Sequence, residues 1–313
     1  MEKLIVSSSP HIHAKDTTRS IMLDVLIALI PATVAGVVLF GIRALVPIFV
    51  CVATSVLSEF LFNIICKKPQ TVSDMSAVVT GLILALCLPA KVSVWHCIVG
   101  SVFAIVIVKC MFGGIGCNFA NPAATARVFL LIAFPAAVGG GVETRFMASE
   151  LVSSATPLEA IKLGADAPLP SITDMLLGNR IGSIGETCII ALVLGGIYLI
   201  IRRVIAWQVP TAYIATVFVL SLIIKQDLTV ALYQVLGGGV VIAAVFMITD
   251  YVTTPINKIG KIVFAIGCGV ITVLIRFWGS YPEGASFAIL IMNIISPYIE
   301  KLCAARPLGK VGK

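Results

Sequence analysis

The sequence predicts an all-α polytopic membrane protein. It holds about ten transmembrane helices in two inverted five-helix repeats, joined by a central extracytoplasmic loop. Three observations predict this. Apolar residues make up 59% of the 313 residues and charged residues 12%, with a mean hydropathy of +1.09; a soluble domain has about 45–50% and about 25%. The apolar residues come as helix-length runs, not as alternating strands of about ten residues, which excludes a barrel. One long polar interval, 139–185, divides the runs five and five. An odd number per half inserts the two copies in opposite senses, and inverted repeats put functional sites at their shared interface.

The elements follow in order. Residues 1–20 form a cytoplasmic segment without the short apolar core and small-residue site of a cleaved signal peptide. Within it, His11 and His13 stand at i and i+2, which do not share a helix face, so no metal site is expected there. Asp16 or Thr17 is the expected cap of the first helix. The first membrane half, 21–139, carries spans at 21–40, 45–66, 76–89, 92–112 and 121–138. The second, 186–302, carries spans at 186–201, 211–224, 230–248, 262–277 and 285–299, and 303–313 is a cytoplasmic tail. The runs 76–89 and 211–224 are short for a bilayer, which needs roughly 20 apolar residues; they read as tilted, broken or re-entrant helices. Gly-rich turns at matching places, Phe112-Gly113-Gly114-Ile115-Gly116-Cys117 and Phe277-Trp278-Gly279-Ser280-Tyr281-Pro282, precede the fifth and tenth spans and support the duplication.

Charge sets the orientation. With the N-terminus inside, Lys3, Lys15, Arg19, Lys67, Lys68, Lys109, Arg202, Arg203, Lys258, Lys261, Lys301, Arg306, Lys310 and Lys313 are cytoplasmic. Arg43, Lys91, Arg145, Lys162, Arg180, Lys225 and Arg276 fall outside. The first set is about twice the second, as the positive-inside bias requires. The 140–185 loop is then extracytoplasmic. Because the net charge of +7 sits at helix ends, no nucleic-acid partner is expected. Nine cysteines, none in a Cys-x-x-Cys pair, read as small buried apolar residues. Cys110 and Cys117 alone are two thiolates short of an iron–sulfur set.

Several polar residues stand out. Thr156-Pro157-Leu158-Glu159 matches a helix start, with Thr156 as cap, Pro157 at the first helical position and Glu159 completing a capping box; Gly164 would end it. No base lies nearby in sequence to make Thr156 a nucleophile. Asn121-Pro122 has the same cap-and-proline pattern, and the other half lacks the second Asn-Pro-Ala triplet a water channel wants. Asp24, Glu59, Arg127 and Asp250 lie within or beside apolar runs, where ionisable groups mark function by default. Arg127, two turns into its span, most needs a partner. Either an interhelical ion pair or a role toward a cofactor fits it.

Glu150-Leu151-Val152-Ser153-Ser154-Ala155-Thr156 resembles the flavinylation sequence of the membrane subunits of Rnf and Na⁺-pumping NADH:quinone oxidoreductase complexes. Glu150 stands where that pattern has Asp, and Leu151 where it has a smaller residue. Ser8-Ser9-Pro10-His11, Asn118-Phe119-Ala120-Asn121-Pro122-Ala123, Thr249-Asp250-Tyr251-Val252-Thr253-Thr254-Pro255 and Tyr281-Pro282-Glu283-Gly284 also look like signatures of this family, so the resemblance covers nearly the whole chain. The D-type membrane component of the Rnf complex is the best match.

The resemblance implies that a flavin transferase esterifies Thr156 with the phosphate of FMN. Ser153, Ser154 and Ala155 form the rest of the attachment sequence, and Arg127 is a candidate to face a flavin. It also implies a second, non-covalent flavin such as riboflavin, without naming its pocket. The implied partners are the other Rnf components: two small membrane subunits, a flavin-bearing G-type component, and iron–sulfur components of the B and C types. The implied activity is electron transfer between ferredoxin and NAD⁺ coupled to Na⁺ or H⁺ movement in the cell membrane. Lacking a dinucleotide fingerprint and a cluster-binding cysteine set, the chain alone would be catalytically incomplete. Asn118, Asn121 and Asp250, at helix breaks, are the expected ion-pathway residues, by analogy with broken-helix transporters. A stand-alone secondary transporter or channel is the rival reading; such a protein has no use for Ser-Ser-Ala-Thr. A bare membrane anchor for soluble redox subunits is a third.

Overall fold

A computed structural model describes residues 17–146, 156–163 and 169–303. Each of the ten expected runs contains helix, and among the described residues there is no β-strand, only an isolated bridge between Val142 and Gly182. Helix α1 spans Thr18–Phe40, α2 Leu45–Ile65, and α3 Ser76–Leu86. Next, α4 spans Val94–Val102 and widens into a π-helical stretch over Phe103–Cys110. The first half closes with α5, Pro122–Ala133, and a short α6, Pro135–Val138. Two short helices follow, α7 (Pro157–Leu163) and α8 (Ile172–Leu177). The second half comprises α9 (Ile189–Ile201), α10 (Gln208–Lys225), α11 (Leu228–Leu236), α12 (Val240–Ile242, widening over Ala243–Met247), α13 (Lys258–Trp278) and α14 (Ala285–Leu302).

Local chemistry sets the ends of these helices. Thr17, not Asp16, caps α1: its hydroxyl takes the Ser20 N–H at 3.2 Å and its own N–H reaches the Ser20 hydroxyl at 3.0 Å. Asn121 caps α5 by accepting from the N–H groups of Ala123 and Ala124, with Pro122 at the first helical position. The expected 121–138 run is broken at Phe134, because Pro135 cannot donate to the preceding turn and starts α6 instead. The 211–224 run proves longer than expected: α10 takes in Gln208, Val209 and Pro210, whose proline is harmless in a first turn, and reaches 18 residues.

Five helices are long and apolar enough to cross a bilayer: Thr18–Phe40, Ile42–Ile65, Gln208–Lys225, Lys258–Trp278 and Ala285–Leu302. A sixth is counted if Leu228–Leu236 and Val240–Met247 are one span bent by 59°. Four further apolar helices, Ser76–Leu86, Val94–Cys110, Pro122–Ala133 and Ile189–Ile201, are shorter. The chain is therefore a multi-pass membrane protein, with five candidate spans, or six counting the bent pair, among the described residues. Its exposed surface carries Ile30, Phe49, Leu57, Ile197, Ile223 and Leu274, which suit hydrocarbon and not water.

Packing makes one body from both halves. In the first half α2 packs on α3 and α4; in the second α10 packs on α11 and α13. Two pairs cross between halves, α1 with α9 and α5 with α14. The α1–α9 crossing depends on Gly195, where an added Cβ would overlap the Ala28 carbonyl. Small residues permit such approach where no water drives helices together.

The described part of the central interval gathers at one end of the bundle. The Arg145 N–H donates to Leu39 O at 2.9 Å, the Ile184 N–H to Leu88 O at 3.1 Å and the Gly185 N–H to Leu86 O at 2.7 Å. Lys162 Nζ donates to the carbonyls of Gly279 and Tyr281 at 2.6 and 3.0 Å.

Candidate functional site

Thr156 is the natural start. It precedes α7 and, as its sequence predicts, its hydroxyl accepts the Glu159 N–H, at 3.3 Å. The side chain is buried, with 9% of its surface exposed, and its methyl group lies against Gly141. Ser153, Ser154 and Ala155 lie outside the described residues. The helix that Thr156 opens then rests on a break in another: Leu158 packs on Gly237 and Gly238, between α11 and α12. Gly238 and Gly239 hold φ of +60° and +69°, a left-handed pair that other residues adopt only with strain.

Arg276, near the end of α13, secures that break. Its guanidinium donates to the carbonyl of Gln234, to Gln234 Oε1 at 3.0 Å, and to the carbonyls of Gly237 and Gly238 at 3.0 and 3.1 Å. Gln234 lies in the last turn of α11, whose carbonyls lack intrahelical partners, and Gly237 and Gly238 form the break itself. A residue placed outside by its position in sequence is thus 3% exposed. Its length explains this: the guanidinium reaches down to satisfy a buried helix end.

Arg127 does have a partner. Its Nη2 lies 2.7 Å from Glu283 Oε2, which joins α5 of the first half to the turn before α14 in the second. Its Nη1 is buried and has no hydrogen-bond partner among the described residues. Arg127, Glu186 and Glu283 line one cleft with Gly238 and Gly239, so the glycine break separates Leu158 from this charged cleft. Glu186 accepts the Ser183 N–H at 3.2 Å through Oε1, while Arg180 donates to the Glu186 carbonyl at 2.7 Å. Sequence reasoning passed over Glu186 as the start of a span and counted Arg180 as a loop charge; both are buried.

The expected ion-pathway residues meet at the opposite end of the bundle. Asn121 Nδ2 lies 3.3 Å from Asp250 Oδ2 and 3.5 Å from the Met247 carbonyl. Asp250 also accepts from the Val252 N–H at 3.1 Å and the Thr253 hydroxyl at 3.3 Å. Burial pushes its carboxyl above the usual carboxylate range, against these hydrogen bonds. Asn118 lines one cleft with Asn121 and Asp250, and its Oδ1 is buried without a donor among the described residues. The cleft also takes in Lys109, Thr80 and Tyr251. Lys109, read as a helix-end cation, is instead 2% exposed and bonded to Glu59 at 2.8 Å.

The structure therefore unites Asn118, Asn121 and Asp250, and keeps Thr156 and Arg127 apart from them. Helix α5 links the groups: Asn121 caps it and Arg127 lies six residues on, about 9 Å along the axis.

Thr156 is compatible with a phosphoester. An ester oxygen still accepts, and a phosphate beside it would face the N–H groups that open α7. Among the described residues no group of three or more His, Cys, Asp or Glu side chains is arranged to hold a metal ion.

Residues 5–309 match the model of the NQR2, RnfD, RnfE family. The chain belongs to that family. It is 46% identical over 309 residues, 98% of this chain and 95% of the relative, to the D component of the Na⁺-translocating ferredoxin:NAD⁺ oxidoreductase complex of Acetobacterium woodii. It is 40% identical over 308 residues, 95% of this chain and 93% of the relative, to the D component of the proton-translocating ferredoxin:NAD⁺ oxidoreductase complex of Clostridium ljungdahlii. The D component of the ion-translocating oxidoreductase complex of Mannheimia succiniciproducens is 34% identical over 344 residues, covering 97% of each chain. These family members are named for different coupling ions, so overall similarity does not choose between Na⁺ and H⁺.

Proposed function

We propose that this chain is the RnfD component of an Rnf-type ion-translocating ferredoxin:NAD⁺ oxidoreductase and carries FMN esterified to Thr156. The observation that carries the reading is the seat of Thr156. It caps a helix resting on the glycine break beside the charged cleft that joins the two halves. When bound, FMN supplies the redox chemistry and the protein sets its position and potential. Thr156 fixes the point of attachment, Leu158 seats α7, and Arg276 holds the break beneath it.

The proposed architecture is ten crossings in two inverted five-helix halves, with both termini cytoplasmic and 140–185 extracytoplasmic. The matched packing of α2 with α3 and α4, and of α10 with α11 and α13, supports it. So do the cross-half pairs α1–α9 and α5–α14. In this orientation Asn118, Asn121 and Asp250 lie at the cytoplasmic end, where carbonyl, amide and carboxylate oxygens suit entry of Na⁺ or H⁺. Electrons reach and leave the chain through partners: two small membrane subunits, the flavin-bearing G-type component, and the iron–sulfur components of the B and C types. A second, non-covalent flavin such as riboflavin completes the proposal; acid precipitation would release it.

The test is in-gel flavin fluorescence of the complex made with its flavin transferase. The band of this chain should fluoresce in the wild type and be dark in Thr156→Val. Equal fluorescence in both would refute the assignment. Ion-coupled electron transfer that persists fully without Na⁺ would leave H⁺ as the coupling ion.

A further inference from the structure

A second pocket lies beyond the glycine break, between α7 and the C-terminal ends of α10, α11 and α13. It encloses about 390 Å³ including its mouth. Leu158 and Ile161 of α7 and Phe277 of α13 give it apolar walls, and Lys162, Lys225 and Arg276 give it charge. Carbonyl oxygens, not carboxylates, hold two of these cations in place. Lys162 donates to Gly279 and Tyr281, and Arg276 to Gln234, Gly237 and Gly238. Lys225 ends α10, 5.8 Å from the centre of the Phe277 ring. Among the described residues no acidic side chain lines the pocket; of the nearby acids, Asp227 is engaged in capping α11, Glu159 lies one turn back on α7, and Glu283 and Glu186, whose charges reach Arg276, line the cleft across the glycine break, Glu283 paired there with Arg127. Arg276 Nε is buried and has no partner among the described residues.

We infer that this pocket receives the ring of the flavin borne on Thr156 and stabilises its reduced, anionic form. The inference rests on the Thr156 assignment above. Reach supports it: Lys162 lies six residues beyond Thr156, about 9 Å along α7, a span suited to the extended phosphorylated ribityl chain. Chemistry supports it too. Two electrons, delivered from ferredoxin through partner subunits, and one proton convert the neutral ring to a monoanion. A flat apolar ring that gains negative charge fits a pocket with apolar walls and three cations. Fixed cations near the ring favour the reduced form and raise its potential.

The experiment is a redox titration of the assembled complex. The Thr156 flavin is isolated as the difference between the wild-type and Thr156→Val complexes. Replacing both lysines, Lys162→Gln with Lys225→Gln, should leave covalent flavin fluorescence in place. It should shift the reduction equilibrium about tenfold toward the oxidised form, ~30 mV lower for a two-electron couple. The Lys162→Arg, Lys225→Arg pair should restore the wild-type potential. Raising salt on the wild-type complex should lower the potential in the same sense, because both lysines face solvent and are screened; this arm needs no change at either lysine. An attached flavin whose potential moves in neither arm would overturn the pocket alone. A wild-type chain bare at Thr156 would overturn the attachment and the pocket together.

Discussion

Two buried ion pairs, one at each end of the bundle, are built differently. Lys109 and Glu59 meet at 2.8 Å and are 2% and 1% exposed. Lys109 also donates to the Ser76 hydroxyl at 2.6 Å, and Glu59 accepts from the Thr71 hydroxyl at 2.6 Å. All four residues lie in the first half, around α2, α3 and the π-helical stretch that follows α4. Arg127 and Glu283 meet at 2.7 Å, but Glu283 keeps 21% exposure and Arg127 Nη1, beside a cleft, has no partner among the described residues. Their partners come from different halves. The first network is closed on itself, each member having a partner within one half; Lys109 and Ser76 also line the cleft of Asn118 and Asp250, so removing Glu59 leaves the ammonium uncompensated at that wall. The second is open, and its residual hydrogen-bonding capacity faces a cavity where Glu186 also stands. One pair ties helices within a half; the other ties the two halves together beside a cleft.

The sharpest way to break this comparison is Glu59→Ala. It should strand Lys109 and cost about 3–5 kcal/mol, read as lost thermal stability and yield of the purified complex. A Glu59→Leu, Lys109→Met double substitution should recover most of that stability, because an apolar pair replaces a buried charged one. If the single variant is as stable as wild type, the network is not closed. Arg127→Met should destabilise less, by about 1–3 kcal/mol, since Glu283 reaches solvent. It should, however, lower coupled electron transfer more than Arg127→Lys does. Equal activity in both would remove Arg127 from the electrostatic account. The smallest effect is expected at Asp24, which pairs with Arg202 at 3.1 Å where Arg202 is 54% exposed. Asp24→Asn should change stability by less than ~1 kcal/mol and leave flavin content unchanged.

The positions of the helices were legible because apolar runs and caps are local. Thr17, Asn121-Pro122 and Thr156-Pro157 each start a helix where the sequence says one should. Lengths were less so: Pro135 cut one run, and the widened turns at Phe103–Cys110 and Ala243–Met247 leave no periodic mark. Asn118, Asn121 and Asp250 could be picked out one by one, because each sits at a helix break, though not the cleft they share. The partner of Arg127 could not be, because Glu283 lies 156 positions away and pairs only once α5 and α14 cross. The burial of Arg180, Arg276 and Lys109 was not legible for one reason: a long cation near a helix end can turn inward to a carbonyl or a carboxylate, and a charge tally gives its side of the membrane, not its exposure.

The most direct test of the central claim is peptide mapping by mass spectrometry of this chain, taken from the working complex. The account predicts that the peptide containing Thr156 is heavier by one FMN less water, with the modification on that side chain. The same peptide found only at its unmodified mass, in a complex that still couples electron transfer to ion movement, would contradict it.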